Sequence, residues 1–161
     1  MFFDNAWNSL VEMDSYGHDV EAGWLLCEAA RVLEDRQLMD RANRLALDVT
    51  DACLVEGLSD KGYMMYEKKG GRTTGHASWW GQIETMIACV NAWQISGNDV
   101  YLQSADTVWT FVKDHMVDKE YGEWYSDCFD GEPKKEAPKV SMWRCPYHTV
   151  RLGVEMYNRL K

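Results

Sequence analysis

The chain has 161 residues, of which 46% are apolar, so it can form one folded domain with a sizeable core. Its 26 acidic and 17 basic residues give a formal charge of −9, which repels nucleic-acid phosphates and anionic lipid and disfavours both as partners. The start "MFFDNAW" has no basic region followed by an apolar stretch. We therefore predict no signal peptide and no membrane span, and expect a cytoplasmic protein.

Cysteines and aromatic residues bear on redox state and on ligands. The five cysteines are an odd number, lie far apart and form no C-x-x-C motif, so we expect reduced thiols that mostly fill the core. Eight tryptophans and eight tyrosines exceed what a core of this size usually needs. Surplus aromatic rings often line concave surfaces that hold ring-shaped ligands, so the composition favours such a site.

The first half of the chain predicts a pair of helices. Apolar residues on nearly every side over 19–36 indicate a helix with little exposure, whereas steps of three and four from Leu38 to Cys53 indicate an amphipathic outer helix. The glycine-rich stretch "DKGYMMYEKKGGRTTGH" that follows predicts a loop or a short hairpin.

The same scheme returns in the second half. A largely apolar helix is predicted over 79–95, the segment "SGND" ends it and begins the next, and an outer helix follows over about 100–116. A shift of 63 residues, which places Val32 on Ile95, aligns the two pairs. A second aromatic loop and a fifth helix from about Pro146 to Leu160 complete the pattern.

These elements predict an all-α chain, a helical-hairpin toroid in which each hairpin has one inner and one outer helix. Five helices are an odd number and cannot close a ring of hairpins, so we expect more chain before residue 1. The loops at corresponding ends then bring the unusual residues to one rim. The residues expected there are His18, Trp79, Trp80, Trp124, Trp143 and His148.

Three short motifs at this rim could carry chemistry. In "GHDVE", Glu21 either stabilises the first helix turn or fixes the tautomer of His18. In "WWGQIE", Trp80 and Glu84 share one helix face, and a carboxylate beside two tryptophans is unusual in a core. In "WRCPYHTVR", His148 lies in the first turn of the last helix, with Arg151 one turn later.

Two histidines near one rim, each with a charged neighbour, suit a proton donor and acceptor. No pair of histidines has the spacing of metal ligands, so we expect no metal, and we interpret His76 and His115 as loop or surface residues without chemistry. Paired carboxylates for glycoside hydrolysis stay open as an alternative. Its candidates are Asp19, Glu21, Glu84 and Asp127.

Four motifs in order resemble the C-terminal half of the N-acylglucosamine 2-epimerase superfamily, nearest its cellobiose 2-epimerase group. They are "YGHDVEAGWLL", "WWGQIE", "EYGEWY" and "WRCPYHTVRLGVEM", and they span nearly the whole chain. The resemblance implies half of an (α/α)6 barrel over residues 1–161. In such a barrel the ends of the inner helices surround a sugar pocket.

The resemblance also implies residue roles. His18 and His148 match two histidines that act on opposite faces of the C2 carbon of the sugar, and Glu21 matches the acid that holds the first of them. Trp124 matches at a position for which we expect only a rim or packing role. Proton transfer of this kind requires no cofactor. The matches to sugar-contacting positions are Glu84, Trp143 and one or both of Trp79 and Trp80.

The family also uses an arginine that polarises the carbonyl and a further histidine, both from an N-terminal half that this sequence lacks. We therefore expect the chain alone to have little epimerase activity, and to be completed by that half or as a homo-oligomer. The expected substrate is a mono- or disaccharide, such as cellobiose, mannobiose or an N-acylglucosamine. Two alternatives stay open: an aldose–ketose isomerase of the same superfamily, and a non-catalytic carbohydrate-binding or regulatory module.

Overall fold

Five helices form the body of the computed structural model, which describes residues 3–161. They are α1 (Tyr16–Val32), α2 (Arg36–Gly57), α3 (Trp79–Ser96), α4 (Val100–His115) and α5 (Tyr147–Arg159). α1 packs on α2 and α3 on α4, while α1, α3 and α5 form an inner row with α3 in the middle. The predicted order of two helical hairpins and a fifth helix is confirmed.

The ends of the first helix differ from the prediction of 19–36. The helix begins at Tyr16 and ends at Val32. Glu34 then adopts a left-handed φ of 53°, and Asp35 caps α2 by accepting hydrogen bonds from two backbone N–H groups of its first turn. Residues 34–36 are all charged, so the apolar pattern marks no boundary within them, and periodicity alone extended the first helix too far.

Within residues 3–161, six short strands lie in the loops and form two antiparallel sheets. One sheet contains β1 (Met13–Asp14), β2 (Glu67–Lys69) and β3 (Arg72–Thr74), and the other contains β4 (His76–Ser78), β5 (Asp127–Phe129) and β6 (Glu132–Pro133). In each sheet, the strand before an inner helix pairs with a hairpin that follows an outer helix. The prediction covers the first hairpin but not the second. The equivalent sheets support the internal repeat.

The core is centred on α3. Every residue over 81–92 is buried, and the α3 side chains meet those of α1, α2 and α4 around residues such as Trp24, Ile87 and Val108. All five cysteines are free and four are buried, as expected for thiols that fill the core. Within residues 3–161, no helix combines the length and apolar character that crossing a membrane requires.

Both ends of the inner row leave apolar surface uncovered. At one end, an exposed stripe follows α5 at steps of three and four. At the other, an apolar groove of about 570 Å³ runs between α1 and α2 and includes Leu26, Leu33 and Leu45. Uncovered faces at both ends are what half of a closed ring leaves. The residues of the α5 stripe are Tyr147, Val150, Val154 and Tyr157.

Candidate functional site

The site lies where the first turns of the three inner helices meet. His18 stands at the start of α1, Trp80 at the start of α3 and His148 at the start of α5. The ring centroids of His18 and Trp80 are 4.5 Å apart, and those of Trp80 and His148 are 6.1 Å apart. The two imidazoles therefore both lie next to one indole, as expected from their common rim.

A glycine makes room for this indole. A Cβ atom on Gly17 would stand 2.6 Å from Cζ3 of Trp80, which is closer than carbon atoms can pack. The adjacent Trp79 makes an edge contact with His148 at a centroid distance of 6.2 Å and lies beneath the guanidinium of Arg144. Both tryptophans thus touch His148, but only Trp80 contacts both histidines.

Glu84 holds His148 from the neighbouring helix. Its Oε1 lies 2.6 Å from Nδ1 of His148, and its Oε2 accepts a 3.0 Å hydrogen bond from Nε1 of Trp24. The Glu84 side chain is fully buried. Because an ionised carboxylate only accepts hydrogen bonds, His148 donates from Nδ1, and its Nε2 is left for proton exchange.

Arg151 links Glu84 to Glu21. Its Nη1 donates to Oε1 of Glu84 at 3.1 Å and to Oε1 of Glu21 at 2.7 Å. Glu21, Glu84 and His148 are close enough together to hold a metal ion. The guanidinium already bonds both carboxylates, so the positive charge that this donor set attracts is supplied by Arg151.

The resemblance implied that Glu21 holds His18. Within residues 3–161, these two side chains form no hydrogen bond with each other. Nδ1 of His18 instead lies 2.7 Å from Oγ of Ser15. Residues three apart on a helix can contact each other, but the Glu21 carboxylate instead bonds the guanidinium of Arg151 on α5, a pair of opposite charge. Ser15 is the N-cap of α1, yet its side chain caps no backbone N–H group.

The other aromatic candidates lie apart from this cluster. Trp143, in the loop before α5, is 85% exposed. Trp124 is buried and packs against Trp109 with ring centroids 6.1 Å apart. Of the two roles expected for it, rim or packing, this contact is a packing role.

The remaining histidines and carboxylates lie outside the cluster as well. His76 stacks between Tyr66 and Phe129, with its Nε2 3.6 Å from Oδ1 of Asp127. Asp19 lines a groove between α1 and α2, and burial raises the pKa of its carboxyl. Of the four carboxylates weighed for glycoside hydrolysis, only Glu21 and Glu84 come together, and Arg151 bonds both of them.

With this geometry established, comparison with known proteins assigns a family. A family model described as N-acylglucosamine 2-epimerase (GlcNAc 2-epimerase) matches residues 2–151. The chain belongs to this family. The match confirms the resemblance found in the sequence motifs, and the family comprises carbohydrate epimerases and isomerases.

Three relatives place the chain within the GlcNAc 2-epimerase family. A cellobiose 2-epimerase from Bacteroides fragilis is 40% identical over 161 residues, which cover 97% of this chain and 40% of that protein. The solved structure of a sugar epimerase from a ruminal bacterium superposes with a TM-score of 0.92 at 36% identity, covering 98% of this chain and 41% of that one. A D-mannose isomerase from Marinomonas mediterranea is 25% identical over 103 residues, 58% of this chain and 26% of that protein.

The chain thus spans about 40% of the length of the curated epimerases that it matches. The superposition confirms the predicted fold, which is half of an (α/α)6 barrel.

Sequence reasoning missed part of this cluster. Trp24 and Ser15 were not singled out, and Arg151 was noted only as a charge one turn after His148. The serine carries a local signal, because it stands at a helix start three residues before a histidine. Trp24 carries none, since its contact with Glu84 spans 60 residues of sequence.

Proposed function

We propose that this chain carries the two acid/base histidines of a sugar 2-epimerase that inverts C2 of a reducing-end sugar. The observation that supports this is that His18 and His148 both lie beside the same indole, Trp80, each with its Nδ1 engaged. Within residues 3–161, no group bonds Nε2 of either ring, so both nitrogens are available for proton transfer.

The reaction suits imidazole. A hydrogen on the carbon next to an aldehyde is only weakly acidic, so its removal near neutral pH calls for a base that titrates in that range. One imidazole takes the C2 proton of the ring-opened sugar and leaves an enediolate. The other imidazole delivers a proton to the opposite face, so that C2 is inverted with no net change in atoms or electrons. No cofactor takes part.

The surrounding residues fit a neutral sugar. The indoles of Trp80 and Trp79 border the histidines and offer flat apolar surface to sugar C–H groups, although Arg144 stacks on the Trp79 ring. Trp143, outside the cluster, is exposed enough to meet a second sugar ring. Glu84 receives three donors, so we assign it to orienting His148 rather than to sugar hydroxyls. A neutral mono- or disaccharide such as cellobiose, mannobiose or an N-acylglucosamine is compatible with the acidic chain.

The chain alone is proposed to have little or no turnover. An enediolate oxygen needs a positively charged or hydrogen-bonding group, and Arg151 is engaged by Glu21 and Glu84. A carbonyl-polarising group would then come from an N-terminal half or from a second copy, packed on the uncovered faces of α1, α2 and α5. The cytoplasmic location stays a prediction.

Deuterium labelling tests this proposal. Cellobiose is incubated in D₂O with the 161-residue chain alone, and with the chain plus the separately expressed N-terminal part of the Bacteroides fragilis relative. We expect no exchange with the chain alone, and a C2 epimer carrying deuterium at C2 when both parts are present, read by NMR. Turnover by the chain alone would contradict the proposal that it lacks the carbonyl-polarising group. An epimer without C2 deuterium would contradict the proton-transfer mechanism.

Two rival functions have an observation in their favour. Similarity to a D-mannose isomerase favours an aldose–ketose isomerase, in which the proton returns to C1 and a ketose accumulates. The exposed indole of Trp143 favours a non-catalytic carbohydrate-binding or regulatory module. Tight sugar binding without exchange at C2 in the completed protein would identify the second rival.

A further inference from the structure

We propose that Arg151 is a positioning residue that sets the charge around His148 and so lets this imidazole both take and release a proton. The inference deepens the proposed function and rests on it for its meaning. The contacts of Arg151 support it, and it can be tested without turnover.

Three charged groups face His148, one from each inner helix. Glu84 of α3 bonds Nδ1 directly, Glu21 of α1 lies behind it, and Arg151 of α5 stands between the two carboxylates. Glu84 is 0% exposed and Arg151 is 12% exposed, so solvent screens these charges weakly. Aromatic rings complete the surroundings of the imidazole. They belong to Trp79, Trp80 and Tyr147.

Without Arg151, His148 would face two carboxylates and no cation. Neighbouring negative charge favours the protonated imidazole, and an imidazolium held this way cannot serve as a base. The guanidinium, which stays charged at all relevant pH values, reduces the negative charge beside His148 from two to one. The guanidinium acts directly beside the imidazole, because Oε1 of Glu84 accepts hydrogen bonds from both His148 and Arg151.

Two rings hold the guanidinium in this position. Its central carbon lies 4.1 Å from the ring centroid of Tyr147 and 5.4 Å from that of Trp24, distances at which a cation and an aromatic face attract. A lysine ammonium carries the same charge but lacks the flat fork that reaches both carboxylates. Arg151→Lys should therefore restore the charge effect only in part.

The test is an NMR titration of the His148 imidazole in the 161-residue chain, with the signal assigned from a His148→Asn variant. In Arg151→Gln the titration midpoint should rise by about one pH unit relative to the parent chain, because a cation has gone. In Glu21→Gln it should fall, because an anion has gone. Arg41→Gln, which removes an exposed arginine from α2, is the matched control and should leave the midpoint in place.

The opposite signs separate this proposal from a purely structural role. If Arg151 only ties α5 to the neighbouring helices, Arg151→Gln lowers the unfolding temperature while the midpoint stays still, and the proposal is overturned. Should Arg151→Gln not fold, the fall expected in Glu21→Gln still decides. The two tests are independent. A titration that contradicts the role of Arg151 does not change the C2 labelling result, and a labelling result that contradicts the proposed function does not change the titration.

Discussion

At the scale of single residues, Gly17 connects the backbone of α1 to the indole that the two histidines share. A Cβ atom at this position would stand 2.6 Å from Cζ3 and 2.7 Å from Cη2 of Trp80. The next residue along the chain is His18, whose ring lies 4.5 Å from the same indole. The position of Trp80 therefore requires a residue without a side chain at position 17.

Gly17→Ala should displace Trp80 and destabilise the fold by about 1–3 kcal/mol, because overpacked sites must shift their neighbours. The matched control is Gly153→Ala on α5, where a new Cβ meets nothing within 4 Å and a helical alanine should be neutral or slightly stabilising. Urea unfolding gives the free energies, and the ring-current shift of His18 reports the position of the indole. Equal effects of the two substitutions would refute the packing argument.

At the scale of elements, the sequence predicts the helices much better than the strands. Helical periodicity is local, so all five helices are recovered in order. The strands have two or three residues each, and their pairing joins distant segments, as when Ala77 faces Cys128. The site divides in the same way. Motifs near helix starts reveal His18, Trp80 and His148, whereas the link from Glu21 to Arg151 crosses 130 residues and leaves no local pattern.

The last helix is anchored by a second buried arginine. Arg159, whose side chain is 5% exposed, pairs with Glu28 of α1 and Glu155 of its own helix. Its Nη1 also donates to Asn91 and Gln94 of α3 at 3.1 and 2.9 Å. This arginine therefore ties together the three inner helices.

Arg159→Ala should lower the free energy of unfolding by about 1–3 kcal/mol, because it leaves the buried Oδ1 of Asn91 without its donor. The control is Arg31→Ala, which removes the other partner of Glu28, an arginine that is 56% exposed; its cost should be below about 1 kcal/mol. Both values come from urea denaturation. A loss in Arg159→Ala no greater than in the control would contradict the anchoring role.

The sheet of β4, β5 and β6 should make stability depend on pH through His76. Burial lowers the pKa of His76, and the nearby Asp127 carboxylate offsets this only in part. The unfolded chain, in which the pKa of His76 is about 6.5, then binds the proton more readily than the folded one. The contribution of His76 to stability is therefore complete above pH ~6.5 and declines as the pH falls below that value.

His76→Phe removes the titration and keeps an aromatic ring between Tyr66 and Phe129. Between pH ~7 and ~5, the free energy of unfolding of the variant should fall less than that of the parent chain. Other carboxylates titrate in both proteins and cancel in the difference. A difference that stays constant over this range would show that His76 does not titrate in the way its burial implies.

At the scale of the whole molecule, the chain forms half of a barrel. The uncovered faces lie at both ends of the inner row, and the chain spans about 40% of its curated relatives. The toroid follows from the internal repeat, whereas the count of six hairpins came from the family resemblance. Repeats determine how units stack but not how many units close the ring.

The central claim is that His18 and His148 act on opposite faces of one carbon. The most direct measurement is C2 deuterium exchange by His18→Asn and His148→Asn variants, each completed with the N-terminal part of the Bacteroides fragilis relative and offered each epimer separately. We predict that neither variant epimerises, and that each exchanges C2 of one epimer only, the opposite epimer in the two variants. Exchange of the same epimer by both variants, or epimerisation by either at the parent rate, would contradict the account.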